Sequence, residues 1–142
     1  MKYLLDTDHI SILQRRSGAE YAILSSRMAQ QAPAGFGVSI VSFHEQMLGA
    51  QTYISRARTS SGVIRSYSLL GEILRAFSSA PVLAFDAPAA AVFDALQARK
   101  IRVGTMDLRI AATALSLNLV LLTRNVSDFS RVPGLVTFDW TV

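Results

Sequence analysis

Apolar positions fall into short unbroken clusters separated by longer amphipathic stretches. Lys2–Leu5, Phe36–Val41, the "PVLAF" run, Leu119–Thr123 and Val136–Trp140 are brief and almost wholly apolar, the pattern of strands buried on both faces. Between them lie helical patterns. A short helix is predicted near Ile10–Arg16 and another over Tyr21–Gln31, which stops before "APAG". "SFHEQMLGA" opens a helix, and helical pattern continues through "YISRARTSS" and "VIRSYSLLGEILRAF". Asp86 caps a further helix that carries Pro88 in its first turn and runs to about Arg102. "TMDLRIAATALSL" is a last helix, and "RNVSDFSRVPG" is a loop. Strand and helix alternate, so the fold class is α/β, with one domain spanning residues 1–142. A mostly parallel sheet covered by helices on both faces is expected. Such sheets place their chemistry at the carboxyl ends of the strands.

The Asp and Glu residues number only 10, so each can be weighed. Asp6 ends the first strand. Asp8 directly precedes the predicted helix and is the better expected cap, which frees Asp6 for another task. Ser42 and Glu45 have capping-box spacing. Asp107 lies in a first helical turn, where the helix dipole favours an acid. Asn125 and Asp128 suit a turn. Each acid therefore has a structural explanation of its own. Together, Asp6, Glu45, Asp107 and Asp128 all fall at strand exits or in the first turns that follow. A parallel sheet can bring such positions to one edge, where carboxylates repel unless cations neutralise them. Oxygen-only donors favour a hard cation such as Mg²⁺ or Mn²⁺. The chemistry implied is metal-assisted hydrolysis of a phosphodiester. Thr7, Ser42 and Asn125 are candidates to orient a phosphate or water.

Composition narrows the reading. The chain is 51% hydrophobic but only 17% charged, below the roughly 25% usual in soluble domains. That shortfall suggests apolar surface covered by a partner or a second copy. The net charge is +4, and the basic residues are arginine except Lys2 and Lys100. Arginine suits phosphate contacts, and Arg15, Arg16, Arg109, Arg124 and Arg131 are candidates, with Arg124 best placed. A solvated basic surface accounts equally well for the charge alone. There is no cysteine, which excludes disulfides and thiolate metal sites and fits a cytoplasmic location. Asp6 and Asp8 interrupt the N-terminal apolar stretch too early for a signal peptide, and no apolar run reaches membrane-spanning length. His9 and His44 lack ligand spacing and read as structural. Phosphate-binding glycine loops, dinucleotide fingerprints and nucleophile elbows are missing.

Four stretches, "YLLDTDHIS", "VSIVSFHEQMLGA", "GTMDLRIAATAL" and "LLTRNVSDFSRVPGL", together resemble PIN-domain ribonucleases of the VapC toxin type. The resemblance implies a parallel sheet flanked by helices and a Mg²⁺- or Mn²⁺-dependent endoribonuclease acting on RNA. It also implies a homodimer and a cognate VapB-like antitoxin protein. The family's acidic quartet falls on Asp6, Glu45, Asp107 and Asp128, with Thr7 beside the first acid. Either Asp128 or Asn125 supplies the last ligand. Gln46 and His44 depart from the apolar and small residues usual around the glutamate. Two rival readings stand beside this one. The strand followed by D-x-D also resembles haloacid-dehalogenase-type phosphatases with Asp6 as nucleophile, although the downstream lysine and acidic pair are not apparent. The domain would alternatively bind RNA or a protein without cutting, its acids serving as caps.

Overall fold

A computed structural model describes residues 1–142. The five apolar clusters form the strands β1 (Tyr3–Leu5), β2 (Phe36–Ser39), β3 (Val82–Leu83), β4 (Val120–Leu122) and β5 (Thr137–Phe138). They make one sheet in the order β3-β2-β1-β4-β5. Every pairing is parallel, so the expected mostly parallel sheet is wholly so. Around it stand α1 (Thr7–Arg15), α2 (Ala19–Ala29), α3 (Ile40–Arg56), α4 (Ser60–Ser78), α5 (Ala87–Ala98), α6 (Thr105–Ser116) and α7 (Val126–Phe129).

Strand alternation divides the interior into two cores. Leu4 points to one face, where it joins Ile110, Leu121 and Phe129 in a cluster built largely on α5 and α6. Tyr3 and Leu5 point to the other, with Ile10, Val38, Ile73 and Phe77 from the α1, β2 and α4 side. A strand buried on both faces has no polar positions to spare, which is why these segments read as continuous apolar runs.

The helix starts differ from expectation in an instructive way. Helix α1 begins at Thr7, and its cap is Asp6, whose Oδ1 accepts the Thr7 N–H at 2.8 Å. Asp8 is inside the first turn, so the expected assignment of the cap to Asp8 is reversed. Helix α3 begins at Ile40, where a strand to Val41 was expected. Its cap is Ser39, whose hydroxyl accepts the Val41 N–H. The Ser42–Glu45 capping box therefore does not form, and both residues lie within the helix. The long helical run in the middle is broken at Ala57–Thr59, where Ala57 turns extended and Thr59 caps α4. Asp86 caps α5 as expected, accepting the Ala89 N–H at 3.1 Å with Pro88 in the first turn. That helix ends at Ala98, before Arg102, and Lys100 takes a left-handed φ of 56°. The segment expected as a loop after β4 contains the single turn α7.

The deficit of charge has a location. Leu48, Tyr53, Ile64, Tyr67 and Leu74 are exposed on α3 and α4. A groove of about 1280 Å³ between α1, α3 and α4 is floored by Leu5, Ile10, Ala50 and Ile73 and carries Arg15, Arg16 and Arg75. No helix is long and apolar enough to cross a membrane.

Candidate metal centre

The chain runs from β1 outward to β2 and β3, then returns to lay β4 against the other side of β1. The crevice beyond the carboxyl ends of β1 and β4 is thus the point where strand order reverses. Asp6 leaves β1 there, and Thr123 leaves β4. The Asp6 N–H donates to the Leu122 carbonyl at 2.9 Å and continues the ladder to the site itself.

Asp6, Glu45 and Asp107 meet in this crevice, each offering a carboxylate oxygen, all within 4.8 Å of one another. Asp6 is buried and the other two are half-buried. Two hydroxyls align them. Thr7 Oγ1 donates to Glu45 Oε1 at 2.9 Å and lies 2.9 Å from the buried Ser42 hydroxyl. Thr123 Oγ1 donates to Asp6 Oδ2 at 2.8 Å and accepts the Asn125 N–H at 3.0 Å.

The electrostatics are those of an anionic cluster short of countercharge. Burial and the Asp8 charge push the Asp6 carboxyl up to about 7, against the opposing hydrogen bonds from Thr123 and Thr7. Burial raises Glu45 as well, opposed by the Thr7 hydrogen bond and reinforced by the Asp107 and Asp8 charges. Burial also raises Asp107, with the Asp128 and Asp8 charges adding to it. No cationic side chain pairs with Asp6, Glu45 or Asp107. Three oxygen donors in one small crevice, each destabilised as an anion, fit a hard divalent cation by geometry and by charge.

The remaining expected residues are not part of this cluster. Asp128 is close enough for its charge to act on Asp107, but its own oxygens face the Asn125 amide at 3.1 Å and Arg131 at 3.7 Å. Arg124, Arg131 and Arg109 have partners within the chain, whereas Arg15 and Arg16 line the groove beside α1. Arg124 pairs with Glu20 at 3.3 Å, Arg131 also donates to the Arg102 carbonyl, and Arg109 lies over the Phe93 ring. His44 makes no ion pair, whereas His9 is fully buried against Asp8. Sequence reading missed two participants, Thr123 and Asp8. Asp8 Oδ2 accepts the Arg124 N–H at 2.9 Å, and Oδ1 faces His9. Thr123 had one local signal, as the polar residue that closes an apolar strand.

Comparison with known proteins bears on the fold. No protein-family profile matches the chain. Ribonuclease VapC1 of Haemophilus influenzae strain R2866 is 54% identical over 39 residues, 28% of this chain and 29% of that protein. Ribonuclease VapC of Rickettsia bellii is 46% identical over 46 residues, 32% of this chain and 34% of that protein. The chain thus spans about a third or less of the length of these curated relatives. A chain of the VapBC-1 structure from nontypeable Haemophilus influenzae matches end to end, covering 100% of both chains at 30% identity and a TM-score of 0.68. The chain belongs to the VapC family of PIN-domain proteins. A chain of the DNA-bound VapBC structure from Salmonella typhimurium has the same fold, with a TM-score of 0.73 at 24% identity over 99% of this chain. The VapC fold therefore extends over the whole chain.

Proposed function

We propose that this VapC-family chain is a divalent-metal-dependent endoribonuclease, the toxin of a toxin–antitoxin pair acting in the cytoplasm. The observation that carries the proposal is the meeting of Asp6, Glu45 and Asp107 within 4.8 Å at the point where strand order reverses. These three residues would hold Mg²⁺ or Mn²⁺, with Asp128 or Asn125 completing the set from the adjacent loop. When bound, such an ion supplies Lewis-acid activation of water and of a phosphodiester oxygen. The chain's own part is preorganisation. Asp6 is fixed from both sides, by the Thr7 N–H on one oxygen and the Thr123 hydroxyl on the other. Glu45 is fixed by the Thr7 hydroxyl, so a single residue after β1 orients two acids. Arg124, Arg109 and Arg131 are the candidates for contacts to the RNA backbone.

The names of the similar proteins support the activity and the partnership, since the relatives are called ribonucleases and the matching structures are VapBC complexes. The exposed apolar residues on α3 and α4 support an assembly with a second copy or an antitoxin. The phosphatase reading needs Asp8 free to exchange a proton. Its two oxygens instead take the Arg124 N–H and face the His9 ring.

The test uses purified protein and Asp6→Asn, each incubated with total cellular RNA in Mg²⁺, Mn²⁺ or EDTA. Discrete fragments that need both the metal and Asp6 are expected. Cleavage by Asp6→Asn equal to wild type would refute the assignment. Folded wild type, free of antitoxin, that neither cuts nor responds to metal would favour a binding module.

A further inference from the structure

His9 and the segment 139–141 belong to no part of the mechanism above, yet they contact it through a continuous chain of hydrogen bonds. His9 is fully buried in α1, one turn from Asp6. Its Nδ1 lies 2.7 Å from Asp8 Oδ1, and its Nε2 accepts the Trp140 N–H at 3.3 Å. A backbone N–H can only donate, so Nε2 carries the lone pair and Nδ1 carries the proton that points at Asp8. The other oxygen of Asp8 accepts the Arg124 N–H at 2.9 Å and lies 3.3 Å from the Thr123 hydroxyl. That hydroxyl holds Asp6 Oδ2. The far end is anchored as well. Trp140 packs on Tyr3 with ring centres 4.7 Å apart, and Asp139 Oδ1 is tied to Thr141 and lies 3.9 Å from His9 Nε2.

We propose that His9 is a positioning residue for the carboxylate cluster. As the Nδ1–H tautomer it fixes Asp8, and Asp8 fixes the Thr123–Arg124 turn whose hydroxyl aligns Asp6. Two elements that share no strand pairing, the exit of β1 and the residues after β5, are thereby locked to the exit of β4. The inference rests on the reading of Asp6, Glu45 and Asp107 as a metal cradle. Groups that orient ligand side chains in this way change metal affinity or activity by 10–100-fold when lost.

The experiment divides the two ring nitrogens between two variants of the full chain. His9→Asn keeps a donor where Nδ1 stood and loses the acceptor for Trp140. His9→Gln keeps an acceptor near the Nε2 position and loses the donor to Asp8. Mn²⁺ affinity is measured by calorimetry, and kcat and KM with RNA are measured separately. His9→Gln is expected to bind Mn²⁺ about tenfold more weakly and to lose a similar factor in kcat, with KM for RNA within about twofold. His9→Asn is expected to melt earlier than wild type but to bind Mn²⁺ within about threefold of it. A merely structural role predicts the opposite, losses that follow stability alone. Equal losses in the two variants, or a folded His9→Gln with wild-type affinity, would overturn the proposal. Should His9→Gln not fold, Asp8→Asn takes its place, measured at low and high salt because it also removes a charge near the cluster: a tenfold weaker Mn²⁺ affinity that persists at high salt supports the link, and an unchanged affinity or a loss that salt abolishes overturns it. Wild type that shows no Mn²⁺ binding would instead bring down the metal-centre reading itself.

Discussion

Replacing Asp6 by Asn should make the metal-free protein more stable at alkaline pH while abolishing its response to metal. The Asp6 carboxyl is raised from 3.8 to about 7 by burial and by Asp8. A carboxyl raised on folding favours the folded state while it keeps its proton. That contribution is full below pH ~4, falls as pH rises, and is gone above the folded value of about 7. The interval is about three pH units at 1.36 kcal/mol each, or roughly 4 kcal/mol of unfavourable charge burial at pH 8. Relaxation and water penetration reduce such penalties, and half of it, about 2 kcal/mol, is a reasonable expectation for the neutral side chain. The hydrogen bonds permit the exchange. The Asn carbonyl can keep the Thr7 N–H, and its amide can face Thr123 Oγ1. The Thr123 hydroxyl proton can then turn toward Asp8, 3.3 Å away.

Thermal unfolding in EDTA at pH 5 and pH 8 tests this directly. At pH 8, Asp6→Asn should melt about 8 °C above wild type, taking ~4 °C per kcal/mol for a domain of this size. At pH 5 folded wild type keeps Asp6 protonated and the cost is only the roughly one pH unit above the free value of 3.8, so the gap should shrink to about 3 °C. Adding Mn²⁺ should reverse the order at pH 8, because a ligand at 100 times its Kd stabilises by about 2.7 kcal/mol and only wild type has the full cradle. A variant less stable than wild type at pH 8 without metal, or a gap independent of pH, would refute the picture of a cluster strained by its own charge.

Thr123→Val removes a hydrogen bond that favours the ionised form of Asp6, so the Asp6 carboxyl should rise above about 7. The acid limb of kcat/KM against pH, measured in Mn²⁺, should then move toward alkaline pH. Phe129 is fully buried between α7 and the core of α5 and α6, and Phe129→Ala should cost about 3–5 kcal/mol in urea unfolding. Asp86→Ala removes the α5 cap far along the chain from the cluster, and should cost ~1 kcal/mol with cleavage per folded molecule unchanged.

The strands were legible, and so was the candidacy of Asp6, because both are local signals. A strand buried on two faces is apolar throughout, and an acid directly after it is conspicuous. Helix starts were misread where two candidate caps stood two or three residues apart. Asp6 was passed over for Asp8, and Ser39 for Ser42. In each case pairing decides the matter. The last paired position of β1 is Leu5, opposite Val38 and Leu122, with the Asp6 N–H making the final bond to the Leu122 carbonyl, and the last of β2 is Ser39, opposite Leu83. The residue at that last rung takes the extended conformation a cap requires or directly precedes one that does. Thr123 and Asp8 were missed for a related reason. Their contacts join segments 115 to 117 residues apart, and no local pattern encodes that β4 lies beside β1.

Whether Asp6 is a helix cap or a ligand turns out to be a choice the fold does not make. One oxygen caps α1 through the Thr7 N–H, and the second is held by Thr123 from the neighbouring strand. A parallel sheet must start a helix soon after each strand, so the carboxyl edge gathers helix N-termini whose N–H groups stabilise anions. That environment lets a buried acid survive without a cationic side chain, though only partly, as the raised values of Asp6, Glu45 and Asp107 record. Capping alone accounts for one acid on one helix. It leaves unexplained why the α3 glutamate and the α6 aspartate, neither of which caps its helix, converge on the same few ångströms. Their repulsion is a standing cost that a divalent cation would remove, which is the physical ground for proposing a metal centre here.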